Sequence, residues 1–83
     1  MASVRIEFTV EPFVDGQPGP HVLAAIAAVE GRGVAVDVGP FSTIAEVQAD
    51  ALASTVADLL QQALDHGATG ITLRVDRPHE DEA

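Results

Sequence analysis

The stretch Val4-Arg5-Ile6-Glu7-Phe8-Thr9-Val10-Glu11 decides the fold, because apolar and polar side chains alternate along its whole length. A period of two residues predicts a β-strand with one buried and one exposed face. Pro12 ends this strand, and the run of Asp, Gly and Pro over residues 15–20 predicts a loop. The last residue of that loop, Pro20, suits the first turn of a helix, where a missing N–H costs nothing.

After this loop the spacing of the apolar residues changes to three and four. The residues concerned are Val22, Ala25, Ile26 and Val29. They would form one stripe along a helix, and Gly31 and Gly33 would end it. Residues 34–38 return to the period of two and predict a second strand.

Residues 41–48 predict a third strand, which is the least regular of the four. Gly39 and Pro40 just before it predict a tight connection to the second strand. Ile44 and Val47 are three positions apart, so they cannot share one face of a strand unless a bulge lies between them.

A second helix is predicted from Asp50, which is a good N-cap residue. Its apolar stripe is wide and comprises Leu52, Val56, Leu59, Leu60, Ala63 and Leu64. His66 and Gly67 would end the helix, because Gly favours the left-handed conformation after a helix and a charged imidazole interacts well with the helix dipole. Apolar residues alternate again over residues 71–75 and predict the last strand.

The predicted order of elements is β-α-β-β-α-β. Right-handed crossovers in the two βαβ halves place both helices on one face of an antiparallel sheet. The expected strand order is 4-1-3-2, which is the ferredoxin-like α+β arrangement. Residues 1–76 would form this single domain, and residues 77–83 would form a short acidic tail for which we expect disorder.

The composition argues against several classes of function. The chain has 83 residues and a formal net charge of −9, and all four of its basic residues are Arg. This charge repels phosphate backbones and anionic lipids, so nucleic acids and membrane surfaces are poor partners. The lack of Cys excludes disulfides, zinc-thiolate sites and thiol chemistry. The sequence shows no signal peptide or membrane span, which makes the cytoplasm the expected compartment.

The topology brings a group of candidate binding residues to one end of the sheet. They are Glu11, Phe13, His21, Phe41, Ser42 and His66. Aromatic rings beside carboxylates suit a flat, polar or cationic small molecule. The alternative is that the two Phe close the end of the core while Glu11 and both His are solvated.

The sheet face without helices is predicted to be polar. It would bear Arg5, Glu7, Thr9, Asp37, Thr72 and Arg74. Cross-strand ion pairs on a solvated face account for this pattern, although an uncovered face or an unpaired edge also attracts partners. Because so small a domain buries limited surface, a second subunit would stabilise it. We therefore expect the chain to self-associate.

Three segments resemble the YkoF-like thiamine-binding proteins. The run Gly39-Pro40-Phe41-Ser42-Thr43-Ile44-Ala45-Glu46 is similar to the family's G-P-(hydrophobic)-x-T-x-x-E segment. Residues 7–13 with residues 18–22 resemble the opening of small members, and residues 66–73 resemble the final strand. The resemblance covers residues 4–76 and rests on the order and spacing of these segments together.

The resemblance implies a fold, an assembly and a ligand. Family members have the ferredoxin-like fold and form dimers or tetramers, and some bind thiamine or its hydroxymethylpyrimidine moiety without a known reaction. Thr43 and Glu46 fall on the T-x-x-E positions. Glu46 or Glu11 would then bind the aminopyrimidine through charge-assisted hydrogen bonds, and Thr43 would orient it. Phe13, Phe41 or Phe8 would offer a ring surface, although the period of the first strand favours the core for Phe8.

The spacing of the two T-x-x-E residues sets a geometric condition. Thr43 and Glu46 are three positions apart and therefore point to opposite faces of a regular strand. A bulge near Ala45, or a contribution from another subunit, would be needed to unite them in one site. Ser42, just before Thr43, is a further candidate contact.

Enzymatic activity is not predicted. A serine beside His21 or His66 would be a minimal catalytic pair, but no nucleophile elbow surrounds Ser42 or Ser54. No cofactor or metal site is predicted either. We therefore expect a non-enzymatic carrier or sensor of thiamine or hydroxymethylpyrimidine. The alternative is a structural or oligomerisation domain, or an ACT-like regulatory domain, with no thiamine ligand.

Overall fold

The computed structural model describes residues 2–12, 19–39 and 42–77, and its elements follow the predicted order. The four strands are β1 (Ser3–Glu11), β2 (Val36–Val38), β3 (Thr43–Gln48) and β4 (Gly70–Asp76). The two helices are α1 (Pro20–Glu30) and α2 (Leu52–Asp65), and a 3₁₀ turn (Ala49–Ala51) precedes α2.

The strands form one antiparallel sheet in the order 2-3-1-4. This is the predicted order read from the other edge. The nine-residue strand β1 lies at the centre and pairs with β3 on one side and β4 on the other. The ferredoxin-like α+β fold is therefore confirmed.

The core lies between one face of the sheet and the two helices. The helix-facing residues of β1, none more than 8 % exposed, are Val4, Ile6, Phe8 and Val10. Their core neighbours on the other elements are Ala25, Val29, Ala45, Val47, Leu59 and Ala63. The small Ala side chains let both helices lie close to the sheet, so a core with few aromatic residues is still well filled.

Helix α1 begins at Pro20, as predicted, with Gly19 as its N-cap. Its buried residues include three of the predicted stripe, Ala25, Ile26 and Val29. Gly33 follows the helix with a φ of 79°. This left-handed conformation strains other residues, which explains why a glycine stands there.

The start of α2 differs from the prediction. Asp50 lies in the 3₁₀ turn, Ala51 is the N-cap, and no side chain caps the helix. A capping carboxylate must occupy the residue next to the first helical turn, and the 3₁₀ turn places Asp50 one position too early. The end of the helix is as predicted, with His66 as the C-cap and Gly67 at a φ of 106°.

Strand β3 is regular, and the bulge considered from its sequence is absent. Its six residues pair with β1 without interruption. Val47 therefore faces the helices and is buried, whereas Ile44 faces away and is half-buried. Of the predicted strand, Phe41 lies outside the described residues, and Ser42 immediately precedes the first paired residue.

The predicted acidic tail is described only at Arg77, because residues 78–83 lie outside the described part of the chain. Within the described residues, neither helix has the length and apolar character needed to cross a bilayer.

Candidate functional site

The predicted rim at the end of β1 is described in part. Glu11 is exposed there, and its carbonyl oxygen accepts a hydrogen bond of 2.7 Å from the N–H of Thr69. This bond joins the end of β1 to the connection that follows α2. Phe13 and Phe41, the predicted ring surfaces, both lie outside the described residues.

His21 is buried, so the alternative in which both rim histidines are solvated is wrong for this residue. It is 6 % exposed, and its Nε2 lies 2.7 Å from the carbonyl oxygen of Pro12. Because a carbonyl oxygen only accepts, Nε2 is the donor. A Cβ atom at Gly19 would lie 2.7 Å from Cε1 of the same ring, so a larger residue there would force the ring to shift. His21 thus ties the start of α1 to the end of β1.

His66 is exposed, and its Nδ1 donates a 2.8 Å hydrogen bond to the carbonyl oxygen of Gln62. It lines a shallow, open groove of about 590 Å³ between the two helices. Much of the groove is formed by small residues, which are Ala24, Ala27, Ala28 and Gly31. Arg32 also lines it and lies 3.7 Å from Asp58. His66 therefore lies in the helix layer, where its side chain caps the C-terminal end of α2.

The structure does not bring Thr43 and Glu46 together within one chain. Thr43 is 5 % exposed and lies beneath the helices, opposite Phe8 of β1. Glu46 is exposed on the other side of the sheet, opposite Arg5. The uninterrupted pairing of β3 removes the bulge that would have united them.

The sheet surface that no helix covers, here called the open face, is polar. Its described residues are Ser3, Arg5, Glu7, Thr9, Glu11, Asp37, Ile44, Glu46, Gln48, Gly70, Thr72, Arg74 and Asp76. The two central strands place Glu7 and Glu46 on this face as diagonal neighbours, a spacing that one small molecule can span. Of the predicted carboxylates, Glu11 and Glu46 therefore share the same face.

Glu7 is a binding candidate that the sequence does not single out. It is half-buried at the centre of the open face, and its Oε2 accepts a 2.8 Å hydrogen bond from Ser42 Oγ. Ile44 lies directly opposite Glu7 on β3, two residues before Glu46. The period of β1 puts Glu7 on this face, but the contact with Ser42, 35 residues along the chain, has no local sequence signal. The result is an apolar side chain flanked by two carboxylates.

The arginine beside this group is already paired. Arg5 donates two hydrogen bonds to Asp76, from Nε at 3.1 Å and from Nη2 at 2.9 Å. These bonds lower the pKa of Asp76 and raise the pKa of Arg5. Arg74, two residues before Asp76 on the same strand, adds a contact of 3.3 Å to Asp76. The pair of Arg5 and Asp76 joins β1 to β4, so cross-strand pairing on this face is confirmed. Glu46 makes no hydrogen bond or ion pair within the described residues, which leaves its carboxylate available to a ligand.

The described residues contain no group of three His, Asp or Glu side chains that could hold a metal ion. The hydroxyl of Ser42 donates to Glu7, and that of Ser54 donates to the carbonyl oxygen of Ala51. Neither of these two serines is hydrogen-bonded to either of the described histidines, His21 and His66. The carboxylates of Glu7 and Glu46 on the open face are suited to binding the hydrogen-bond donors of a small molecule.

Comparison with known proteins supports the fold. No family model and no curated protein matches the chain. A domain of unknown function, DUF77, from Bacillus cereus is 28 % identical, with a TM-score of 0.65 over 90 % of this chain and 73 % of that one. A Thermotoga maritima structure described as a "putative thiamine biosynthesis/salvage protein" is 24 % identical, with a TM-score of 0.68 over 92 % and 84 %. A Streptococcus pneumoniae protein is 24 % identical, with a TM-score of 0.62 over 89 % and 82 %. These neighbours are consistent with the YkoF-like resemblance, and the likeness at 24 % identity is one of fold alone.

Proposed function

We propose that the chain is a non-enzymatic small-molecule-binding protein that takes thiamine or its hydroxymethylpyrimidine moiety on the open face. It would act as a carrier or sensor in the cytoplasm. The observation that carries this proposal is the group of Glu7, Ile44 and Glu46 on the two central strands. The choice of ligand follows the sequence resemblance, and the name of the Thermotoga maritima neighbour points to the same vitamin.

The chemistry of the ligand matches the group. An aminopyrimidine presents its amino N–H and, when protonated, a ring N–H side by side, and one carboxylate accepts both in a charge-assisted pair. Glu46 is the proposed acceptor because it is exposed and makes no hydrogen bond or ion pair with another described residue, although it interacts electrostatically with Arg5 opposite it. Glu7, oriented by Ser42, would accept a further donor, and Ile44 would contact the apolar surface of the ring. The net charge of −9 favours the cationic thiazolium of thiamine.

The geometry revises the predicted set of ligand contacts. Thr43 lies beneath the helices, so it would support β3 and not touch the ligand from the same chain. Ser42 would act through Glu7. Glu11 lies on the same face as Glu7, four residues along β1 and about 13 Å away at about 3.3 Å per residue. It would meet only the far end of a ligand as long as thiamine. Phe13 and Phe41 stay predictions.

Titration calorimetry and thermal shift with thiamine, thiamine diphosphate and hydroxymethylpyrimidine test the proposal. We expect thiamine and hydroxymethylpyrimidine to bind, and the diphosphate to bind more weakly because the acidic chain repels it. The absence of both heat and thermal shift with all three compounds at millimolar concentration would contradict the proposal. Tighter binding of the diphosphate would contradict its electrostatic part.

The variant Glu46→Gln tests the site itself. It keeps the shape of the side chain and removes the charge, so the affinity for hydroxymethylpyrimidine should fall by about tenfold or more, as expected for a charge-assisted hydrogen bond. The matched control is Glu30→Gln, which removes the same charge from an exposed residue at the end of α1. Equal weakening in both variants would show that net charge, and not the site, governs binding.

Self-association as a homodimer or homotetramer is also part of the proposal. Four large apolar side chains that are 43 % or more exposed in the single chain favour it, namely Leu23, Val38, Leu64 and Val75. The alternative function, an assembly or ACT-like domain without a thiamine ligand, also predicts self-association. It differs by predicting no heat with any of the three compounds.

A further inference from the structure

Strand β4 leaves an unpaired edge in the described part of the sheet. It pairs with β1 on one side, and no described strand lies on the other. Its seven residues span about 23 Å at about 3.3 Å per residue. A row of N–H and C=O groups of this length is a template for another strand. The opposite edge, β2, has only three residues and offers much less.

Apolar side chains line the helix-facing side of β4 without being fully covered. Ile71 and Leu73 are half-buried, and Val75 is 43 % exposed. The residue of β1 that pairs with Val75, Ile6, is 0 % exposed. The helices therefore cover the centre of the sheet and leave β4 partly open. Leu64, near the end of the preceding helix, is 54 % exposed as well, although its spacing places it in the predicted apolar stripe.

We infer that β4 pairs antiparallel with β4 of a second copy of this chain, in a register centred on Leu73. In that register Leu73 lies opposite its own copy, Ile71 lies opposite Val75, and Thr72 lies opposite Arg74. Every apolar residue then meets an apolar residue, and no like charges face each other. The next register, centred on Arg74, would set two guanidinium groups opposite each other. This self-complementarity of β4 identifies the second strand as another copy.

This pairing has a definite consequence for the assembly. The two-fold axis is perpendicular to the sheet, so the dimer has one eight-stranded sheet with all four helices on the same side. The two open faces become one continuous surface on the other side. The hydrogen bonds between Arg5 and Asp76 lie on that open side and remain intact. The inference rests on the self-association part of the proposed function and does not require the ligand.

The variant Val75→Lys tests the interface, and Val38→Lys is its matched control. Both valines are exposed on the helix-facing side of an edge strand, at 43 % and 58 %, but they lie on opposite edges of the sheet. Sedimentation equilibrium should show a dimer for the wild type and for Val38→Lys. For Val75→Lys the dimer dissociation constant should rise by about tenfold or more, equivalent to about 1.4 kcal/mol. Thermal unfolding of both variants checks that each is folded.

Disulfide cross-linking of single-cysteine variants tests the register of the pairing, because the natural chain contains no Cys. Leu73→Cys places two thiols across the axis, within the distance that a disulfide needs, so mild oxidation should give covalent dimers. Ile71→Cys and Val75→Cys should stay uncross-linked, because each would face the other position and not itself.

The outcomes separate this inference from the rest of the proposal. A dimer that survives Val75→Lys unchanged, or one that cross-links through Ile71→Cys or Val75→Cys but not through Leu73→Cys, overturns the edge pairing and leaves self-association standing. A wild-type monomer at millimolar concentration overturns both. Ligand binding is decided separately by calorimetry.

Discussion

The ring of His21 lies against the first turn of α1, with the hydrogen on Nε2 directed at the carbonyl oxygen of Pro12. From the sequence it is one imidazole among several polar residues at a rim, equally suited to a ligand or to solvent. The backbone oxygen decides its role, because a buried imidazole needs a partner and finds one in the chain itself. Side-chain type alone does not predict this, since the contact depends on the path of the chain from β1 to α1.

Gly19→Ala should destabilise the domain. The new Cβ would lie 2.7 Å from Cε1 of His21, and the ring cannot move away without losing its bond to Pro12. We expect a loss of about 1–3 kcal/mol, as for overpacking elsewhere in protein interiors, measured by urea unfolding. The control is Gly70→Ala, whose Cβ would lie at an ordinary 3.6 Å from Glu11 Oε1 and should change the stability by less than about 0.5 kcal/mol. Equal stabilities of the two variants would refute the role given to His21.

The periodicity of apolar residues in the sequence predicts some of the helices and strands but not all of them. Strand β1 and helix α1 follow from their alternation and stripe, and a glycine at positive φ follows within three residues of the end of each helix. Strand β3 is the instructive case, because its apolar residues do not share one face. In the structure the strand has no bulge, so Val47 faces the helices and Ile44 is half-buried on the open face. A local sequence pattern cannot show that an apolar residue will be tolerated on the open face. The proposed ligand contact would account for Ile44 there.

Helix α2 carries a polar residue within its buried face. Thr55 is 1 % exposed, and its Oγ1 has no hydrogen-bond partner among the described residues. The predicted stripe of α2 omits it because a hydroxyl is usually solvated. Thr55→Val keeps the shape and removes the unsatisfied group, so the free energy of unfolding should rise by about 1 kcal/mol in urea titrations.

The matched control for this change is Thr72→Val, in which an exposed residue of β4 undergoes the same substitution. Its effect should stay within about 0.5 kcal/mol. Destabilisation by Thr55→Val of about 1 kcal/mol or more would instead mean that the hydroxyl makes a bond that stabilises the fold.

At the scale of the whole molecule, the fold is predictable from the sequence and the site is predictable only in part. The spacing of the apolar residues and the Gly and Pro residues between the elements predict the order of helices and strands. The rule that crossovers are right-handed then leaves few possible topologies. The site depends on which residues meet across strands, and this needs the register. The register places Glu46 beside Glu7 on the open face and separates both from Thr43. The T-x-x-E segment thus lies on a strand of the proposed site, but its two named residues lie on opposite sides of the sheet.

The central claim is that the open face binds the ligand, and amide chemical-shift mapping with hydroxymethylpyrimidine tests it most directly. The account predicts that the shifts caused by the ligand cluster on β1 around Glu7 and on β3 around Ile44 and Glu46. Shifts confined to the groove between the helices, around Ala24 and Gln62, would contradict it. So would an unchanged spectrum at millimolar ligand.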